Sequence, residues 1–81
     1  MRKKINRTNN TLDLHGSPHK EVFGKVDRFI GEHLMKGTSS VVVITGNSLT
    51  MKKLVQKVLD DYEMYSQESI INSGQLTIDL T

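Results

Sequence analysis

The chain has 81 residues, enough for one small domain that buries roughly 60–65% of its unfolded surface. It has no cysteine, which excludes disulfides, thiolate nucleophiles and cysteine-bound zinc, and its longest aliphatic run, residues 41–44, is far short of the ~20 residues a membrane-spanning helix needs. The net charge of +2 is uneven: Arg2, Lys3, Lys4 and Arg7 hold four of the eleven basic residues, leaving seven basic against nine acidic in the rest.

Residues 1–10 read as a flexible basic arm ahead of a single domain at 11–81. The opening "MRKK" leads into no apolar stretch, so it has no secretory pattern, and a cytoplasmic location is expected. A basic arm suits nucleic acid, because each neutralised phosphate releases counterions. It equally suits a solubilising terminus.

Leu12 and Leu14 then alternate with Asp13 and His15, the period of a strand with one covered face. The turn Gly16-Ser17-Pro18 follows, with Ser17 expected as N-cap and Pro18 as first residue of a helix at 18–36. Val22, Phe23, Val26, Phe29, Ile30 and Leu34 draw its buried stripe, and Gly37 stops it. Residues 39–45, "SSVVVIT", are a β-branched run apolar on both sides, predicting a central parallel strand. After Gly46-Asn47-Ser48 comes a second helix over about 50–65, with Met51, Leu54, Val55, Val58, Leu59 and Tyr62 facing inward. The tyrosines and phenylalanines, at helical spacing, read as core. Two short strands at about 67–72 and 75–80, joined at Ser73-Gly74, close the chain.

The order βαβαββ predicts a two-layer α/β sandwich. Its mixed four-stranded sheet has two helices on one face and the other face partly open. Consecutive βα turns in such a sheet lie at its carboxyl edge, where ligands bind. Asp13 and His15 should therefore meet the Gly46-Asn47-Ser48 turn. As residues i and i+2 of a strand, Asp13 and His15 would share a face with their backbones about 7 Å apart, room for a phosphate or water between them. Histidine moves protons near neutral pH and a neighbouring carboxylate orients it. The competing reading is that His15 ends the strand and Asp13 bonds a backbone amide. The second turn offers helix N-terminal amides to an anion, with Lys52 and Lys53 adding positive field, but it lacks the P-loop spacing. His19 reads as a surface residue and His33 as flanking the apolar stripe. Three scattered histidines make no metal site.

Leu12-Asp13-Leu14-His15-Gly16, the loop Thr45-Gly46-Asn47-Ser48 and the closing "GQLTIDL" resemble the Smr (small MutS-related) domain, whose marks are an LDxH strand end and an HGxG or TGxG loop. The resemblance covers about residues 11–81 and implies a nucleic-acid-binding module, in many members an endonuclease acting on RNA or DNA, in some linked to the ribosome. It implies Asp13 and His15 as catalytic residues. It implies Gly46, Asn47, Ser48, Lys52 and Lys53 as nucleic-acid contacts, with amides near Gly46 stabilising charge on phosphorus, and the arm residues Arg2, Lys3, Lys4 and Arg7 are expected to join them through their charge. RNA attacked by its own 2′-hydroxyl requires no metal, whereas a divalent metal is compatible with the other chemistries. The expected state is a monomer with no membrane partner. Ser48 stands where the family has its second glycine, and a serine would resist a positive φ there.

Overall fold

The computed structural model describes residues 10–68 and 74–80. β1 (Thr11–Asp13) is short, because only three residues pair before the chain turns. The Leu14 amide extends the ladder by one bond, donating to the Ile44 carbonyl at 2.8 Å. His15 therefore lies beyond the strand, in a turn that Gly16 completes at φ 80°.

The following helix starts later than the Pro18 signal implies. Pro18 has ψ 138° and stays extended, so it precedes the helix rather than opening it. One 3-10 turn (His19–Glu21) bridges to α1 (Val22–Lys36). Ser17 is not its cap. Its hydroxyl accepts instead from Lys25 Nζ at 3.1 Å, and neither the turn nor the helix has a side-chain cap. Gly37 does end α1, at φ 76° with its amide bonded back to the last turn. The apolar stripe holds at Val22, Val26, Phe29 and Ile30. Phe23 and Leu34 instead leave it and are exposed, because each sits on the flank of the face turned to the sheet.

β2 (Ser40–Ile44) alternates sharply. Val41 and Val43 are fully buried under the helices, while Val42 and Ile44 are half-buried on the opposite, partly open face. α2 (Leu49–Asp61) ends four residues before Tyr65, the predicted terminus. Glu63 takes a left-handed φ of 58°, and the Met64 amide reaches back to the Leu59 carbonyl at 3.0 Å, which closes the helix without a glycine. Tyr62 stays packed on the core and donates its hydroxyl to Asp27 at 2.7 Å, joining the two helices. Tyr65, expected inside, is exposed because it lies beyond that stop.

β3 (Ser66–Glu68) and β4 (Gln75–Asp79) complete the sheet; residues 69–73 of the predicted third strand and its turn lie outside the described residues. The spatial order is β1-β2-β4-β3, with β1 parallel to β2 and β4 antiparallel to both neighbours. This is the two-layer α/β sandwich that the sequence predicts. β2 is central, though parallel on one side only. Leu14, Ile30, Leu59 and Ile78 are the largest fully buried side chains and lie between helices and sheet. His33, at the end of α1, is buried too, its Nδ1 2.8 Å from Thr38 Oγ1 and its ring edge-on to Phe29.

Candidate functional site

Parallel pairing of β1 and β2 sets Asp13 opposite Ile44, so the turns after the two strands leave the sheet side by side. A side-chain carbon built on Gly46 would stand 3.8 Å from His15 Cβ. The two turns are therefore close neighbours, although 31 positions separate these residues in sequence (46 − 15). Gly46 has φ 66°, a conformation that strains any residue with a Cβ.

Asp13 and His15 touch directly. One carboxylate oxygen, Oδ1, accepts the His15 backbone amide at 3.0 Å and lies 3.0 Å from His15 Nδ1. No phosphate or water fits between them, contrary to the flat-strand expectation, because the chain turns at Leu14 and swings the imidazole back onto the carboxylate. The backbone bond and the orientation of the ring thus coexist in one Asx-type turn. With an acceptor facing Nδ1, the neutral ring carries its hydrogen there, and Nε2 keeps its lone pair. The imidazole is 71% exposed.

The two hydrogen bonds from His15 hold the Asp13 carboxyl below its ordinary value of 3.8, the side-chain bond first and the backbone bond second. A depressed folded-state pKa stabilises the fold above the unfolded value, and the contribution is lost as pH falls through the lowered one. In an NMR pH titration Asp13 should have its midpoint below 3.8, and His15→Ala should move that midpoint up.

The second turn is built differently from its expected role as an amide cradle. The Gly46 amide donates to the Gly74 carbonyl at 3.1 Å, and so does the Thr45 amide at 2.8 Å. Gly46 therefore has no free N–H for a phosphate. Thr45, buried, uses its hydroxyl on the Gly46 and Gly74 carbonyls and acts as a latch rather than as a reactive group. Ser48 has φ −78°, so no positive φ is demanded of it. It is the N-cap of α2, its Oγ accepting the Met51 amide at 3.0 Å. Ser48→Ala should cost about 0.5–2 kcal/mol in thermal or urea unfolding and Ser48→Gly only a few tenths. Restoring the family's glycine should not raise activity, since no strain is relieved.

Of the expected contacts, Asn47 is exposed beside Gly46, and Lys53 is exposed on the first turn of α2. Lys52 is not a free cation. Its ammonium sits 2.8 Å from Glu68 and its side chain is only 15% exposed, so it ties α2 to β3. Arg2, Lys3, Lys4 and Arg7 lie outside the described residues. The amides of Leu49 and Thr50 have no partner among the described residues and lie at the positive end of α2.

Sequence reasoning missed two cations of α1. Lys25 holds Ser17, and with Arg28 it borders a cavity of about 300 Å³ beside Asp13. Their three-residue spacing puts them on one face of α1, but only the tertiary packing sets that face next to Asp13. Among the described residues no group of three or more histidine or acidic side chains could hold a metal ion, and no helix is long and apolar enough to cross a membrane.

The fold is similar to that of YdaL, a stand-alone small MutS-related protein from Escherichia coli. That match has a TM-score of 0.70 and 21% sequence identity, covering 95% of this chain and 67% of that one. No curated protein sequence matches the chain significantly. Residues 12–71 match the Smr domain, a family whose members generally bind nucleic acid and in some cases cleave it. The match spans both βα turns of the edge and well over half of the chain, and the chain belongs to the Smr domain family.

Proposed function

We propose that this Smr domain is an endonuclease that cleaves or nicks RNA or DNA where the LDLH turn meets the TGNS loop. The observation that carries this reading is the Asp13–His15 pair, exposed and seated against Gly46 at the carboxyl edge of the sheet. Asp13 fixes the ring so that Nε2 faces outward as a general base, in the way a carboxylate orients histidine in hydrolases. On RNA, Nε2 takes the proton of the 2′-hydroxyl, the oxygen bonds to phosphorus, and the P–O5′ bond breaks. The leaving oxygen then takes a proton from the imidazolium or water. On DNA a water replaces the 2′-hydroxyl. The amides of Leu49 and Thr50, with Lys53, take over the anion-stabilising part first assigned to the Gly46 amide. The basic arm adds sequence-independent affinity.

A second reading, a binding module without cleavage, has its own support. The Gly46 amide and Lys52 are both occupied inside the protein, which leaves fewer groups to stabilise a pentacoordinate phosphorus. Incubation of the purified chain with labelled single-stranded RNA, double-stranded RNA and plasmid DNA, with and without magnesium, separates the two. Products that depend on His15 support the enzyme. Retained complexes with no product under any condition support the module.

A further inference from the structure

We propose that the cavity between the free edge of β1 and α1 is a nucleotide pocket. It would seat one unpaired base of a single-stranded substrate next to the phosphate presented to His15. The inference rests on the nucleic-acid reading above and adds to it the substrate's strandedness and the residues that select it.

The cavity, about 300 Å³, is lined by Leu12, Asp13, Lys25, Arg28, Phe29 and Glu32. That is the lower end of the range for small-molecule sites, a size suited to one base rather than a helix. β1 is an edge strand, and among the described residues no further strand pairs with its outer side. Leu12 and Phe29 give an apolar floor that a base face can cover. Lys25 and Arg28 lie three residues apart, on one face of α1. Lys25 already holds Ser17 and Glu21. The Arg28 guanidinium has no partner among the described residues, and its flat, weakly hydrated surface stacks on bases.

Two cations and two carboxylates border this floor. A bare phosphate would be repelled by Asp13 and Glu32. A base edge, which carries both donors and acceptors, is complementary to such a mixed rim. Asp13 belongs both to the pocket and to the His15 pair, so an occupant of the pocket is a neighbour of the reacting phosphate. A duplex keeps its bases stacked inside and cannot place one here without extruding it.

The test is fluorescence anisotropy with short labelled single-stranded RNA, single-stranded DNA and the matching duplexes. The full chain carries His15→Ala so that substrates survive. Adding Arg28→Ala should weaken single-strand binding about five- to tenfold, the lower end of what one stacked base provides, and leave duplex binding within about twofold. Arg28→Lys should recover the salt dependence but only part of the affinity, because the planar group is lost. Unchanged single-strand affinity in Arg28→Ala overturns the pocket. An equal loss on single strands and duplexes also overturns it, and marks Arg28 as a plain phosphate contact. A chain with His15 intact that binds no nucleic acid removes the parent reading and the pocket together, a result distinct from either of these.

Discussion

His15→Ala should abolish the proposed cleavage and leave binding within a few-fold. A general base supplies roughly 10²–10⁴ in rate and little ground-state affinity, so removing the imidazole should cost the rate and spare the complex. The side chain is 71% exposed and contributes nothing to the core, so the variant should fold. Asp13→Asn tests the orienting role. An amide at that position can present either an oxygen or an NH₂ to Nδ1, and it no longer fixes the tautomer. Activity should fall by less than in His15→Ala, and its pH profile should move. Product assays with wild type and both variants, purified identically, check this. If wild type and His15→Ala cut alike, the activity belongs to a contaminant and the binding module becomes the better account.

Leu14→Ala should be the most damaging substitution near the site. Leu14 is fully buried between two exposed polar neighbours, and its side chain pins the turn that brings Asp13 and His15 together. Truncating a buried leucine costs about 2–5 kcal/mol, out of about 5–15 kcal/mol available to a domain. For a chain this small the melting temperature should fall by at least about 8 °C. Calorimetry or circular dichroism measures the loss. A temperature-dependent loss of activity well below the melting point of the wild type would accompany it. A drop of only a degree or two would show that the turn holds itself through the Asp13 bonds rather than through the core.

Much of this architecture is legible because the polar–apolar pattern changes period where the elements change. The valines of β2 and the stripe Val22, Val26, Ile30 leave one plausible arrangement, and the parallel pairing then brings Asp13 and His15 to Gly46. Less legible were the ends of elements. Pro18 obeys a helix-start rule by identity and breaks it by its extended ψ of 138°. Glu63 takes a conformation usually left to glycine, because the returning Met64 bond rewards it. The occupied groups were hidden altogether. Nothing near Gly46 or Lys52 in sequence announces Gly74 or Glu68 as partners, so both looked free for phosphate. Local spacing shows which residues face an edge, and only long-range pairing shows which of their hydrogen bonds are already spent.

Gly74 collects three donors, the amides of Thr45 and Gly46 and the Thr45 hydroxyl, from a segment 28–29 positions earlier in the chain (74 − 46 and 74 − 45). A chain leaving the ribosome N-terminus first presents the LDLH turn, α1 and β2 well before this carbonyl emerges. Until then the TGNS loop has no anchor, and closing so long a loop comes late in folding. The loop should therefore be fixed late, by a segment made after the LDLH turn, α1 and β2. A fragment ending before Gly74 should keep the Asp13–His15 turn and lose the fixed wall against which it works.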